Sequence, residues 1–125
     1  MAITQLRSKR KITGGKYKRV IKKTKNRGST PYLVTIGELK KIPKRTRSNH
    51  SKYKLFTTNI VNLFDPQTKK HVKAKVESVI ENASNINYVR RNIITKGAII
   101  QTDKGKAKIT SRPGQEGTLN GILIK

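Results

Sequence analysis

Apolar residues are placed unevenly along the chain. Through residue 54 they are few and scattered among cations, and beyond it Ile, Val and Leu recur at short spacing. The clearest alternation is KHVKAKVESVI (70–80). It puts Val72, Ala74, Val76, Ser78 and Ile80 on one face and Lys73, Lys75 and Glu77 on the other, the period of a half-buried strand. Val72, Val76, Val79 and Ile80 also fit helical spacing. The β-branched content decides for strand, as does the reversing turn FDPQTKK just before it, with Pro66 at its second position. That turn pairs the strand with LFTTNIVNLF (55–64). Further on, AIIQT (98–102) and KAKIT (106–110) flank DKG, a hairpin link in which Gly105 can take a positive φ. IIT (93–95) predicts a short strand ended by Lys96-Gly97, RPGQEG (112–117) a turn, and TLNGILI (118–124) a last strand. SNINYVRRN (84–92) predicts one or two turns of helix, capped by Ser84 or Asn85. Short strands punctuated by turns predict an all-β fold, a small barrel-like domain or sandwich, over residues 55–125.

Residues 1–54 bury too little apolar surface to offset the entropy of ordering them, so they are expected to form a long, basic, irregular extension. Strands are expected only beyond about residue 54. The best-organised piece of the extension is STPYLVTIGELKKIP (29–43), entered through Thr30-Pro31, broken at Gly37 and closed by Pro43. A short extended segment there is compatible with the sequence, and so is none.

Charge changes the picture more than length does. The 125 residues carry 30 Lys+Arg against 6 Asp+Glu, a net charge of +24. Residues 1–54 hold 18 of the cations and one acid, Glu38. Such self-repulsion disfavours a compact monomer unless a polyanion neutralises it. A membrane is the weaker candidate polyanion, because no apolar run approaches the ~20 residues of a spanning helix. The start, MAITQLRSKRK, has no apolar core of signal-peptide type, so a cytoplasmic location is expected. A nucleic acid is the leading partner. Cysteine is absent, which excludes disulfides and thiolate zinc sites.

Catalysis finds no support. Glu38, Asp65, Glu77, Glu81, Asp103 and Glu116 form no motif, and Asp65 and Asp103 sit in turns for backbone reasons. His50 and His71 lie among cations and polar residues, which suits solvent or phosphate better than a metal. Gly14-Gly15-Lys16 lacks the GxxxxGK[ST] spacing of a phosphate loop. The basic stretches RSKRK, KYKR, KKTKNR, KIPKRTR and YVRR instead suggest phosphate contacts, with tyrosines able to stack on bases. The candidate nucleic-acid ligands are Arg7, Lys9, Arg10, Lys11, Lys16, Lys18, Arg19, Arg27, Arg45, Arg47, Arg90 and Arg91, with Tyr17 and Tyr88. Gly14 and Gly15 would let the backbone of an otherwise irregular segment bend against RNA, between the grips Lys9–Lys11 and Lys16–Arg19.

Three stretches carry a resemblance. RSKRKITGGKYKR (7–19), NASNINYVRRNIITKGAIIQT (82–102) and KAKITSRPGQEGTLNGILI (106–124) resemble the ribosomal protein eight-e family, small-subunit proteins of archaeal and eukaryotic ribosomes. RRNIITKGAII and TSRPGQ-acid-G are its most specific pieces. The short form, without a central insertion, is similar to the archaeal type. The resemblance implies a barrel-like domain, an N-terminal extension threaded along 16S-type rRNA, and a role in subunit assembly and translation. It implies small-subunit rRNA and neighbouring ribosomal proteins as partners, with no enzymatic activity, no small-molecule substrate and no cofactor. The matching positions are Arg7–Lys11 and Thr13–Gly15 in the first stretch. In the second they are Asn82, Asn85, Tyr88 and Arg90–Gly97, and in the third Ser111–Gln115 and Gly117. This adds Lys96 and Arg112 to the candidate ligands. The chain departs from the family pattern at Ser48-Asn49-His50-Ser51, where a glycine pair followed by Asn is usual, and at Ala83, where proline is usual. On charge alone, a DNA-compacting chromatin protein is the alternative. An RNA-processing enzyme would need a catalytic constellation.

Overall fold

The computed structural model describes residues 8–18, 28 and 30–124. Contacts divide the chain into two compact units, residues 1–31 and 32–125. The second unit contains nine strands: β1 (Val34–Ile36), β2 (Lys40–Arg45), β3 (Ser51–Thr58), β4 (Ile60–Asp65), β5 (Lys70–Glu81), β6 (Ile93–Ile94), β7 (Ile99–Thr102), β8 (Gly105–Ile109) and β9 (Asn120–Leu123). Two single-turn helices interrupt them, α1 (Asn87–Arg90) and α2 (Pro113–Glu116). The fold is all-β, as the strand pattern predicts. β4, β5, β7, β8 and β9 close into a barrel, and β2, β3, β1 and β6 form a separate sheet in that order.

One aliphatic core serves both layers. Val61, Leu63, Ala74, Val76, Val79, Ile100, Ala107, Ile109 and Leu119 come from the barrel and its closing loop, and Val34, Leu55 and Ile94 from the sheet. The barrel closes through parallel pairing of β4 with β9, at Asn62–Asn120, Leu63–Gly121 and Phe64–Ile122.

The predicted hairpins stand, with three corrections. First, 55–64 is not one strand. It breaks at Asn59 into β3, which belongs to the sheet, and β4, which belongs to the barrel. The buried Thr58 hydroxyl holds the break, accepting from Ile60 N (3.2 Å) and donating to Ile60 O (3.1 Å). Such local side-chain bonds compete with a continuing ladder. Second, the inward face of β5 is not the simple alternation. Ala74, Val76 and Val79 are buried while Val72, Ser78 and Ile80 are exposed. The register against β7 slips between Val76 and Ser78 and again between Val79 and Glu81. Each β-bulge adds a residue, bends the strand and re-aims the side chains that follow, which is how a long strand wraps a small barrel. Third, strands begin well before residue 54: β1, β2 and the first half of β3 precede it. β2 is an edge strand, so Pro43 costs the sheet no ladder bond on its solvent side.

The turns follow their chemistry. Asp65 accepts from Gln67 N (2.9 Å) and Thr68 Oγ1 (2.9 Å), which fixes the β4–β5 reversal. Gly105 takes φ 120° after the Asp103-Lys104 link. RPGQEG is a helical turn, α2, not a plain reversal: Arg112 O accepts from both Gln115 N and Glu116 N, and Gly117 ends it at φ 70°. α1 uses Asn85, one of the two expected caps. Ile86 begins it in helical geometry, and Asn85 Oδ1 accepts from Asn87 N (2.9 Å). Buried Asn82 ties this region together, donating to Ile93 O (3.0 Å) and accepting from Ser84 N (3.0 Å) and Thr95 Oγ1 (2.9 Å).

Two positions in the sheet test these backbone assignments with opposite signs. At the β2–β3 turn, Ser48 and Asn49 both hold left-handed backbone, φ 60° and 57°. Ser48→Gly should raise the stability of the free protein by up to about 1 kcal/mol, the strain outweighing the entropy glycine loses. At Gly117 a Cβ would sit 2.8 Å from the Tyr53 carbonyl oxygen. Gly117→Ala should cost about 2 kcal/mol or more, since both φ and backbone oppose it. Urea unfolding followed by circular dichroism measures both.

Candidate nucleic-acid interface

The N-terminal grips are more ordered than expected. Gly14 N donates to Lys11 O (3.0 Å) and Lys11 N to Gly15 O (2.8 Å), closing a three-residue loop of Ile12, Thr13 and Gly14. Arg10 bridges antiparallel to Lys16, and the Arg10 guanidinium donates to Gly14 O (3.0 Å). This is a small hairpin loop, not an irregular segment. Gly14 holds φ 81°, the left-handed position that such a loop assigns to glycine. Gly15 has ordinary space and no such requirement. Lys9, Lys11, Lys16, Tyr17 and Lys18 are exposed around it, and the Lys11 ammonium stands 5.9 Å from the Tyr17 ring centre. Ile12, at the tip, is fully exposed. Arg7, Arg19 and Arg27 lie outside the described residues.

In the second unit the cations concentrate on the β2–β3 hairpin. Residues 40–54 contain Lys40, Lys41, Lys44, Arg45, Arg47, Lys52 and Lys54 and no acid. Arg45 and Arg47 are exposed at the tip, where Arg45 Nε donates to Asn49 Oδ1 (3.2 Å). Lys44 lies directly opposite Lys52, and Ile42 opposite Lys54, so these side chains share one face. Like charges placed this way repel. Lys54 is only 6% exposed, and its ammonium lies 4.4 Å from the Tyr32 ring centre. Burial, and then Lys44 and Lys52, push its pKa below the ordinary lysine value. Sequence reasoning placed Lys44 in a basic run but did not separate Lys44, Lys52 and Lys54 from their neighbours. What joins them is strand register, which composition does not display.

The remaining candidates lie elsewhere. Arg90 and Arg91 are exposed on and just after α1, Tyr88 is half-buried there, and Lys96 is exposed before the Gly97 turn. β6, next to α1, meets β1 beside Thr57 and Thr58 through the pairings Val34–Ile94 and Thr35–Thr57. The Arg45–Arg47 tip lies at the other end of β3, about 20–25 Å away at ~3.3 Å per residue. Arg112 is exposed at the start of α2, which packs on β3. Within the second unit the candidates therefore stand on separate exposed stretches, the hairpin tip, α1 with the residue before Gly97, and the start of α2. The histidines are exposed, and the His71 ring tilts against Phe64 with centroids 5.1 Å apart. Among the described residues no group of three or more His, Asp or Glu side chains could hold a metal.

An all-β barrel joined to a sheet with an acid-free basic hairpin defines a small, strongly cationic β-barrel protein. The family model described as ribosomal protein S8e matches residues 4–124, and the chain belongs to that family. It is 50% identical to the small ribosomal subunit protein eS8 of Methanobrevibacter smithii, over 99% of this chain and 100% of that protein. It is 47% identical to the eS8 protein of Methanococcus aeolicus (99% and 98% covered) and 46% identical to that of Nanoarchaeum equitans (97% and 96% covered). The family is structural and non-enzymatic.

The Lys54 charge has a testable cost. Its proton binds less readily in the folded than in the unfolded chain, so the penalty is fully present below the folded-state pKa. It fades as pH rises through that value toward the ordinary lysine range. Lys54→Met keeps the packing stem and removes the charge, so thermal melts of the free protein should show it more stable than wild type at neutral pH. The gap should narrow in alkaline buffer.

Proposed function

We propose that the chain is a structural constituent of the small ribosomal subunit in the cytoplasm, holding 16S-type rRNA through its basic N-terminal segment and the cationic surface of the folded unit. The carrying observation is the acid-free β2–β3 hairpin with seven cations, which makes sense opposite a phosphate backbone and not in water. Family membership supports the same reading. The contacts are to phosphates and sugars, so they position the protein and read RNA shape more than base sequence. The N-terminal segment fills grooves and the barrel anchors it, with neighbouring small-subunit proteins as further partners. A role in subunit assembly follows, because rRNA supplies the counter-charge that the free protein lacks.

The expected result is co-sedimentation of the tagged protein with small subunits in sucrose gradients, and rRNA binding that weakens steeply with salt. Equal affinity for duplex DNA, without co-sedimentation, would replace this reading with chromatin compaction. The N-terminal loop refines the test. Gly14→Ala should reduce incorporation into reconstituted subunits although no charge is lost, whereas Gly15→Ala should be incorporated like wild type. Competition between tagged variants and wild type measures this.

A further inference from the structure

We propose that Lys44, Lys52 and Lys54, with Tyr32 and Gln115 beside them, form a discrete subsite for an RNA backbone phosphate. The inference rests on the rRNA reading above and names the place where that contact is built rather than diffuse.

Three observations carry it. The first is convergence. Lys44 and Lys52 are directly opposed and Lys54 is the next residue on the same face, so three ammonium groups share one small area with no acid on either strand. Opposed like charges are a defect in a free sheet, and an anion between them turns repulsion into attraction. The second is burial. Lys54 is more than nine-tenths buried, held against the Tyr32 ring at 4.4 Å, and the charged groups facing it are the cations Lys44 and Lys52. The stem is covered while the ammonium still reaches solvent, so an anion from outside the chain can meet it. The third is support. α2 docks on the hairpin because Gly117 has no Cβ to strike Tyr53 O, and against Tyr32 because Gly114 has none to strike Tyr32 O. That docking brings Gln115 Oε1 to 3.5 Å from Lys52 Nζ. It leaves the Gln115 amide group able to donate to an anion that the lysines hold.

Phosphate fits better than a carboxylate. Lysines act as point charges with freely rotating donors, which suits the diffuse charge of a phosphodiester and not the planar fork a carboxylate prefers. The lysines also lie on the strand face behind the exposed Arg45–Arg47 tip, so a backbone meeting the tip can continue along them.

The experiment uses the full chain and transcribed small-subunit rRNA, with binding measured by filter retention over a range of KCl. Lys52→Met and Lys54→Met should each bind on the order of tenfold more weakly at low salt. Each should also lower the slope of log K against log salt by about one, the signature of one lost phosphate contact. Lys73→Met, an exposed cation on the barrel, serves as the charge-matched control and should leave the slope unchanged. Because variants can misfold, reductive methylation of the wild type is the second measurement, and RNA should protect Lys52 and Lys54. The subsite is overturned if Lys54→Met, folded by its melting curve, keeps the wild-type slope. It is overturned equally if Lys73→Met lowers the slope as much. RNA binding unchanged in Lys54→Met, with incorporation into subunits lost, would assign the cluster to a protein carboxylate instead. A wild-type chain that binds no rRNA at any salt overturns the underlying reading, which separates that failure from failure of the subsite alone.

Discussion

Repulsion among like charges is the constraint around which this chain is arranged. With 30 cations and 6 acids, it cannot neutralise itself by internal pairing. The folded unit responds by confining its stabilising contacts to an aliphatic core and turning its charge outward. On β8, Ala107 and Ile109 point inward while Lys106 and Lys108 are exposed, and on β5 Lys73 and Lys75 flank the buried Ala74. Lys54 is the exception, the one cation among the described residues of the folded unit whose side chain is largely covered. The core is small, so a domain of this size gains only a modest margin over its ordering entropy. Binding a polyanion therefore acts on stability as well as on location, by adding the opposite charge where the chain has none.

Much of the barrel was legible because its strands obey local rules. The alternation in 70–80, the Asp65-Pro66 turn, the Gly105 link and the Lys96-Gly97 ending all announce themselves within a few residues. What escaped depends on distant partners. The two slips in β5 exist because the strand must curve toward β7, and no local pattern records that. β2 looks disordered in sequence because KKIPKR contains one aliphatic residue; it is a strand because β3 pairs with it and α2 packs on that pair. Residues 55–64 read as one run since both halves are apolar, while the break depends on a single hydroxyl at Thr58. The lysine cluster was hidden for the same reason as the bulges. Lys44 and Lys52 are neighbours only once the hairpin sets their register.

The motifs that carry the family resemblance divide into two kinds of residue. Asn82 braces the segment between β5 and β6, and Asn92, at φ 49°, accepts from Val79 N (3.2 Å). Gly117 permits α2 to lie on the hairpin backbone at Tyr53, and Gly114 on the backbone at Tyr32. Arg90, Arg91, Lys96 and Arg112 are interleaved with these positions and are exposed. The rigid residues sit within a few positions of the exposed cations, so each cation projects from a fixed base. A charged side chain on a fixed base loses less entropy when it meets a phosphate than one on a mobile loop.

The parallel seam between β4 and β9 has a temporal side. Asn62 and Asn120, which pair across it and share a hydrogen bond of 3.0 Å, are 58 residues apart. Chains are made from the N-terminus at a rate of several residues per second. For the seconds between synthesis of β4 and of β9, the barrel stands open with Val61 and Leu63 lacking their final cover. The basic N-terminal segment exists throughout that interval. A nascent chain of this kind can therefore meet a polyanion before its barrel can shut, with its charged end available first and its sealed end last.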